Sequence, residues 1–168
     1  SKALQSWFAH IPGLKVVMPS TPRDAKGMLI AAIRDENPVI FIEHRWLYDA
    51  EGEVPEGTNP LPLEGAHILH AGKDVTVVAT SWMNVEAVHA AKILARRGVG
   101  VEVVDCRSIA PFDRDTVLSS VSKTGHCIVA DNDWIHCGFS AEVAAQVYEG
   151  CFGRLKSPVD RIGYAPTP

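Results

Sequence analysis

The sequence predicts an α/β fold with mainly parallel sheets flanked by helices. Two stretches of the chain, 14–42 and 74–111, each show the pattern of a buried strand, an amphipathic helix and a second buried strand. A crossover of this length joins parallel strands, and short continuous apolar strands are typical of a sheet covered on both faces. With 168 residues, the chain is long enough for one ordinary domain, or for one domain plus part of another.

The unit at 74–111 is the most regular part of the sequence. Its first strand is the β-branched run that begins at Val75. The apolar spacing that follows predicts a helix, with Asn84 as its N-cap and Gly98 as its stop. A second apolar run, 99–104, completes the unit and should pair in parallel with the first strand.

The first half of the chain predicts a helix over 1–11 and then a second strand-helix-strand unit. Because the first helix has no entry signal, we expect the chain to start partway through a domain. The helix of the unit has Thr21 as its N-cap, a proline in its first turn and its end near Arg34. The strands that flank it are 14–18 and 39–42.

Residues 49–65 are rich in proline, glycine and acidic residues and show no period, which is typical of a linker between domains. Apolar runs, a capping residue and a glycine stop predict the elements beyond it. They are a strand at 66–70, a helix at 114–122 between Asp113 and Gly125, a strand at 127–130, a loop at 131–138, a helix from about Ser140 and a strand at 158–162.

Composition and charge narrow the function classes. A net charge of -4 and a pI near 5.9 give no basic surface for nucleic acid. The sequence has no apolar run of membrane-spanning length and no secretory signal pattern, so we expect a cytoplasmic protein with neither nucleic-acid nor membrane partners. The four cysteines lack metal-ligand spacing, which favours buried free thiols.

Two clusters of titratable side chains are candidates for a functional site. The first, Glu43-His44-Arg45, follows the end of a strand, where open parallel sheets place binding groups. It could line a cofactor or a subunit interface, and a local ion pair is the alternative.

The second cluster mixes histidine and acidic side chains around one predicted loop. Its members are His126, Asp131, Asp133 and His136. Such a set can hold a metal or move protons, but none of its pairs has the i, i+4 spacing of a helical site, so we interpret it as a surface loop. Trp134 and Phe139 are interpreted as interface or core aromatics.

The longest continuous motif is FAHIPGLKVVMPSTPRDAKGMLIAAIRDENPVIFIEHRWLY, and VEVVDCRSIAPFD, KTG and GFSAEV follow it. Together the motifs closely resemble the beta subunit of the thiamine-diphosphate-dependent decarboxylating component of 2-oxo acid dehydrogenase complexes. That family belongs to the transketolase-like superfamily, and the resemblance runs over 1–168 without a large gap. It gives structural roles to Asp105, Arg107 and Pro111, with Arg107 tying down a carboxylate.

The resemblance implies the C-terminal part of a pyrimidine-binding domain at 1–48, a linker at 49–65 and a transketolase C-terminal domain at 66–168. The complete enzyme would decarboxylate a 2-oxo acid, such as pyruvate or a branched-chain acid, on thiamine diphosphate and Mg²⁺, and transfer the acyl group to lipoyl. Its partners would be an alpha subunit and a second beta subunit in a heterotetramer, and the dihydrolipoyl acyltransferase core.

The catalytic glutamate and histidine of the family align upstream of Ser1. We therefore expect no catalytic residue within this chain, and the cofactor-binding residues stay unassigned. The expected chain is a fragment, natural or trimmed, that is inactive alone and serves subunit assembly and the border of the cofactor site.

The resemblance also implies a potassium site at the turn after the second helix. Family members bind the ion at the positions of Ala32, Asp35 and Asn37, where a helix end supplies a carbonyl and the two side chains supply oxygens. Unpaired carbonyls at the negative end of a helix suit a hard cation. The alternative is a solvated turn that stops the helix, which such residues usually form.

Three residues depart from the family pattern. They are Asp131, where glutamate is common, Cys137, in place of the first glycine of GGF, and Lys156, at a position that is acidic in some members and helps to hold the acyltransferase core. A lysine does not support that docking mode. The WLY sequence at Trp46 does not identify the 2-oxo acid.

Two other functions stay open: a stand-alone, non-catalytic assembly or docking domain, and a fragment of a transketolase or deoxyxylulose-phosphate synthase. The IRDENPV and HIPGLKVV runs favour the dehydrogenase branch. If the first domain is partial, some of its apolar residues lack covering strands and should drive self-association. These residues are Leu4, Trp7, Phe8, Val16 and Ile40.

Overall fold

The structure of the protein is a computed structural model that describes residues 3–165. It contains five α-helices within that range: α1 (Gln5–Ala9), α2 (Pro22–Arg34), α3 (Trp82–Ala95), α4 (Arg114–Thr124) and α5 (Phe139–Cys151). The strands of the same range are β1 (Lys15–Val17), β2 (Val39–Phe41), β3 (His67–His70), β4 (Val75–Ala79), β5 (Val101–Asp105), β6 (Ser108–Ala110), β7 (Cys127–Trp134) and β8 (Asp160–Tyr164). Within residues 3–165, no helix combines the length and the apolar character needed to cross a membrane.

The larger sheet has five strands in the order β3-β5-β4-β7-β8. Strands β5, β4, β7 and β8 run in parallel, and β3 pairs antiparallel with β5. This confirms the parallel strand-helix-strand unit predicted around α3. The chain leaves β4 toward β5 and leaves β7 toward β8, so it departs in opposite directions from two neighbouring strands. Such a reversal opens a crevice at the carboxyl ends of the strands.

The smaller sheet has the order β2-β1-β6, with β1 parallel to β2 and antiparallel to β6. Strand β6 lies more than 90 residues after β1 and was not predicted. It covers the first half of the chain, so Val16 is fully buried and its predicted exposure is wrong. Leu4 and Trp7 are exposed as predicted, whereas Phe8 and Ile40 are partly buried.

Helices cover both faces of the larger sheet. On one face, α3 packs Ala87 and Ala91 against Val101 and Val103. On the other face, α4 and α5 pack against the opposite side chains of the same strands, which alternate between the two faces. That main core includes Val78, Val104, Val117, Val121, Val129, Val143 and Val147.

Local capping explains where several helices begin and end. The Thr21 hydroxyl accepts the backbone N–H of Asp24 at 3.1 Å, and Asp113 caps α4 in the same way through Thr116. Gly125 ends α4 with a φ of 77°, in the left-handed region that glycine adopts at low cost. These caps were predicted and are confirmed.

Several predicted boundaries are wrong, including those of the first helix, which covers Gln5–Ala9 instead of 1–11. Helix α3 begins at Trp82 after Ser81, so Asn84 lies inside the helix and is not its N-cap. Strand β7 continues to Trp134 through residues predicted as a surface loop, and long-range hydrogen bonds from Gln5 and Ser6 to Asp131 and Asp133 hold this part of the strand in the interior. The last strand covers Asp160–Tyr164 instead of 158–162. Positions 1 and 2 of the first predicted helix lie outside the described residues.

The predicted linker contains neither helix nor strand, and a 3₁₀ helix at Arg45–Leu47 precedes it. Its last part is nevertheless packed. The backbone N–H of Leu61 donates to the Gly27 carbonyl at 3.0 Å, and Leu63 is buried beside Met28. The segment therefore runs back along α2 before it enters the second half.

Candidate functional site

The carboxyl ends of the larger sheet carry a concentrated group of buried polar side chains, which we call the polar edge. Its members are Thr80 and Ser81 after β4, Asp105 at the end of β5, and Asp131 and Asp133 in β7. Open parallel sheets place ligand-binding groups at this edge, and the reversal of direction between β4 and β7 lies within it. The position is that of a binding site.

The first part of the same chain fills this edge. Gln5, which is fully buried in α1, donates from Nε2 to Asp131 Oδ1 at 3.0 Å. Its neighbour Ser6 donates to Asp133 Oδ2 at 2.5 Å. Thr80 also donates to Asp131, at 2.5 Å. The carboxylates that an open crevice would offer to a ligand are therefore used to hold α1.

A second contact of the same kind lies at the end of β5. The Ser20 hydroxyl donates to Asp105 Oδ2 at 2.6 Å, and Asn84 Nδ2 donates to Asp105 Oδ1 at 2.7 Å. Asp105 is fully buried. It therefore joins the segment after β1 to α3, and the polar edge binds the first half of the chain at two separate strands.

Burial changes the ionisation of both carboxyl groups. Removal from water raises the pKa of Asp105 to about 7, because hydrogen bonds from Ser20 and Asn84 offset only part of the cost. Burial likewise raises the pKa of Asp131 to about 6, against the hydrogen bonds from Thr80 and Gln5. Both groups titrate near neutral pH.

The turn after β5 behaves as predicted. Arg107 Nη1 donates to Asp24 Oδ1 at 2.7 Å, so Arg107 ties the first turn of α2 to the larger sheet. The Ser108 hydroxyl donates to the carbonyl of Pro111 at 2.6 Å, and the Ala110–Pro111 peptide bond is cis. The roles of these residues are structural.

The histidine and acidic cluster predicted around the loop is not assembled. His126 Nδ1 lies 2.9 Å from the Ser157 hydroxyl, and His136 is exposed, whereas Asp131 and Asp133 are buried. In the part of the chain that the structure describes, no group of three or more His, Cys, Asp or Glu residues could hold a metal ion. Phe139 is a buried core residue, and Trp134 is the last residue of β7.

The predicted potassium turn brings its residues together. The backbone N–H and Nδ2 of Asn37 both donate to Asp35 Oδ1 at 2.9 Å, and the Ala32 carbonyl accepts the Asp35 N–H at 3.4 Å. Lys15 Nζ lies 2.7 Å from Asp35 Oδ2, and this contact, with those from Asn37, lowers the pKa of Asp35 to about 2. Since both oxygens of Asp35 are taken, this arrangement does not fit Asp35 as a side-chain ligand of a cation.

Two residues of the cluster after β2, Glu43 and His44, line a separate cavity of about 230 Å³. Its walls come from the ends of β1 and β2, the start of α2 and the 3₁₀ helix. They include Pro19, Ser20, Thr21, Pro22, Glu43, His44 and Tyr48. Burial lowers the pKa of His44. Among the described residues, Glu43 makes no ion pair with Arg45, so the predicted local pair is absent.

The departure at Lys156 has a local explanation. Lys156 Nζ donates to the Thr124 carbonyl at 3.0 Å, where α4 ends. A cation at the C-terminus of a helix is favoured by the helix dipole. The lysine therefore stabilises α4 in this chain.

Sequence reasoning missed Gln5, Ser20 and the true role of Asn84. Gln5 and Ser20 are single polar residues next to apolar runs, and only their long-range partners distinguish them from surface residues. The position of Asn84 inside the helix could have been predicted, because polar residues before it end a strand and one of them, Ser81, is a possible N-cap.

Comparison with family models gives two matches that together cover nearly the whole chain. The transketolase C-terminal domain model matches residues 64–168, and the transketolase pyrimidine-binding domain model matches residues 1–50. The first of these alone covers more than half of the chain.

Several characterised relatives align with the full chain. It is 48% identical to the acetoin:2,6-dichlorophenolindophenol oxidoreductase subunit beta of Cupriavidus necator, over 100% of this chain and 50% of that protein. It is 41% identical to the pyruvate dehydrogenase E1 component subunit beta-2 of Oryza sativa, over 100% of this chain and 46% of that one. The 2-oxoisovalerate dehydrogenase subunit beta 2 of Arabidopsis thaliana is 38% identical, over 100% of this chain and 47% of its own length.

A solved structure described as a split gene transketolase, inactive beta4 tetramer, has a TM-score of 0.77 and 26% sequence identity. The match covers 97% of this chain and 52% of that one. The chain thus spans about half the length of the relatives that it matches.

Proposed function

Because this chain belongs to the transketolase C-terminal domain family, we propose that it forms part of the beta subunit of a thiamine-dependent dehydrogenase complex. The substrate class would be a 2-oxo acid or acetoin, and the acyl group would pass to lipoyl in the 2-oxo acid case. The observation that carries the proposal is one unbroken similarity to beta subunits that crosses both halves of the chain. We also propose the predicted domain boundaries, with a linker at 49–65, and a cytoplasmic location.

The described residues do not form a complete thiamine diphosphate site. The carboxylates of the polar edge hold α1 and Ser20, and the Arg107 guanidinium, which would suit a phosphate, is paired with Asp24. We therefore assign this part of the subunit to assembly and to the border of the cofactor site. Thiamine diphosphate and Mg²⁺ would be held by the complete enzyme, together with the alpha subunit and a second beta subunit.

The outer edge of β2 supports a role in assembly. Among the described residues, β2 pairs only with β1, so its other side offers unpaired backbone groups. Exposed apolar residues of α1 and α2, including Trp7 and Ile33, belong to the same half of the chain. An open strand edge with exposed apolar residues is a surface suited to further protein contacts.

Calorimetric titration with thiamine diphosphate and Mg²⁺ tests the proposal, first on the chain alone and then after mixing with a cognate alpha subunit. We expect binding only in the presence of the alpha subunit. Thiamine without its diphosphate is the matched control and should give no signal. Strong binding to the chain alone would contradict the assignment, because the chain would then hold a complete site.

A non-catalytic assembly domain is the second candidate, and one observation favours it. The solved relative at a TM-score of 0.77 is described as an inactive beta4 tetramer. If this candidate is correct, light scattering will find a homo-oligomer that neither binds the alpha subunit nor takes up cofactor. A mixed complex with the alpha subunit would argue against it.

The potassium site implied by the family resemblance stays a proposal at Ala32, Asp35 and Asn37, with ligation limited to backbone carbonyls and the Asn37 amide oxygen, because both side-chain oxygens of Asp35 accept hydrogen bonds. Thermal melts in potassium and sodium buffers of equal ionic strength test it. A specific site should raise the melting temperature in potassium only, and the Asn37→Ala variant should reduce that difference. Equal melting temperatures would contradict it.

A further inference from the structure

A group of aromatic rings lies next to the cavity at the ends of β1 and β2, and two of its members, His44 and Tyr48, line that cavity. We call it the aromatic patch, and its members are His44, Trp46, Tyr48 and Trp82. The rings of Trp46 and Trp82 meet edge to face with centroids 5.4 Å apart, and His44 lies 5.5 Å from Trp46 and 6.3 Å from Trp82. Trp82 is the first residue of α3, so both halves of the chain build the patch.

Local contacts hold the rings in place, and two of them, Trp46 and Tyr48, remain open to solvent while the other two are partly buried. The backbone N–H of Trp46 donates to His44 Nδ1 at 3.3 Å, and the Tyr48 hydroxyl donates to Glu43 at 3.4 Å. Trp46 is 65% exposed and Tyr48 is 66% exposed. Large aromatic side chains held in place at this exposure are typical of binding surfaces. Burial lowers the pKa of His44, which favours its neutral ring over the charged form that would repel a cation.

Acidic side chains flank the patch in the sequence. They are Glu43, Asp49, Glu51, Glu53 and Glu56, and all are exposed. None of them forms an ion pair within the described part of the chain. The cations of the same neighbourhood are Arg23, Lys26, Arg45 and Arg107, and since Arg107 is paired with Asp24, acidic charge is in excess.

The acidic segment lies beside the patch in space as well as in sequence. A second cavity, of about 630 Å³, is lined by Glu51 and Glu53. It shares Ser20, Thr21, Pro22 and Ala50 with the cavity that Glu43, His44 and Tyr48 line. The two cavities are therefore neighbours, with His44 and Tyr48 in the wall of the first and the carboxylates of Glu43, Glu51 and Glu53 along the pair.

We propose that the aromatic patch docks an arginine side chain carried by a loop of a partner polypeptide. A guanidinium stacks on aromatic faces and pairs with a carboxylate through two parallel hydrogen bonds, which a lysine ammonium cannot do. Glu43, beside His44 and Tyr48, supplies that carboxylate. The acidic surroundings repel phosphate, so neither nucleic acid nor an anionic membrane fits this surface. The inference is independent of the proposed thiamine enzyme.

The test uses the full chain with ¹⁵N-labelled tryptophan and two peptides, acetyl-Gly-Arg-Gly-Arg-Gly-amide and the same peptide with citrulline for arginine. Citrulline has nearly the shape of arginine and no charge. The chain has four tryptophans, two in the patch and two outside it, at Trp7 and Trp134. We expect the arginine peptide to shift the indole signals of Trp46 and Trp82 at millimolar concentration, with weaker binding at high salt.

Substitutions locate the effect. Glu43→Gln and Trp46→Ala should each raise the dissociation constant of the arginine peptide about fivefold, which is the size of an exposed cation–π contact or ion pair. Trp7→Ala is the matched control, since Trp7 is 73% exposed on α1, away from the patch, and should leave binding unchanged.

Three outcomes would overturn the proposal. Equal shifts with the citrulline peptide would mean that the aromatic patch does not recognise the positive charge of arginine. An equal shift at Trp7 would mean unspecific binding. Shifts of Trp46 and Trp82 that follow the protein concentration instead of the peptide would assign the patch to a second copy of this chain.

Discussion

The Arg107→Met variant removes the charge that ties α2 to the larger sheet. The Arg107 side chain is 13% exposed and that of Asp24 is 8% exposed, so the pair is largely screened from water. Without Arg107, Asp24 keeps its hydrogen bond from the Thr21 hydroxyl but loses its countercharge. Removing one partner of a buried ion pair leaves an uncompensated charge and costs about 3 kcal/mol or more.

Urea unfolding followed by circular dichroism measures that loss. Against a total stability of about 5 to 15 kcal/mol, a loss of this size moves the midpoint clearly. Arg97→Met is the matched control, because Arg97 is exposed at the end of α3 without an ion pair in the described structure, and it should change stability by less than about 0.5 kcal/mol. The double variant with Asp24→Asn should regain part of the loss, because no unpaired charge remains. A loss below about 1 kcal/mol for Arg107→Met would refute the reasoning, since that is the value of an exposed pair.

Three further predictions use the same measurements or simple chemistry. The folded protein keeps protons on Asp105 and Asp131, whose pKa values rise from 3.8 to about 7 and about 6, so the unfolded chain releases protons first. Their contribution to stability should be full below pH 3.8 and lost as the pH rises toward about 7. Urea midpoints should therefore fall over that pH range, and less steeply in the Asp105→Asn variant. Midpoints that rise with pH because of these two groups would contradict the prediction. In a thiol-reactivity assay, Cys137 should react first because the other three cysteines are buried, and four equal rates would count against the fold. Gly125→Ala should lower thermal stability by about 1 kcal/mol, given its φ of 77° and the Lys156 side chain beside it, whereas Gly153→Ala, with open space around it, should be neutral.

Local signals determined what the sequence could predict of the fold. The caps at Thr21 and Asp113 and the stop at Gly125 act within four residues, so the pattern alone places them. The continuous apolar runs of β4 and β5 likewise predict parallel strands covered on both faces.

Long-range pairing determined what was missed. The sequence Asp131-Asn132-Asp133 is a turn pattern by composition, but it forms a buried strand in which Gln5, Ser6 and Thr80 donate hydrogen bonds to its carboxylates. Strand β6 has only three residues and is recognised as a strand by its antiparallel pairing with β1. No local pattern contains these partners. Of the candidate site, the role of Arg107 was predictable from the resemblance, whereas the first half of the chain that fills the polar edge was not.

The polar edge and the smaller sheet lead to the same physical conclusion about the two halves of the chain. Strand β6 belongs to the second half and covers Val16 of the first, while Gln5 and Ser20 of the first half satisfy Asp131 and Asp105 of the second. Separating the halves would remove one hydrogen bond from each of these buried carboxyl groups, which would keep only those from Thr80 and Asn84, and it would expose apolar core at the same time. The two halves should therefore unfold together, and the aromatic patch, which needs Trp46 from one half and Trp82 from the other, should be lost in the same transition.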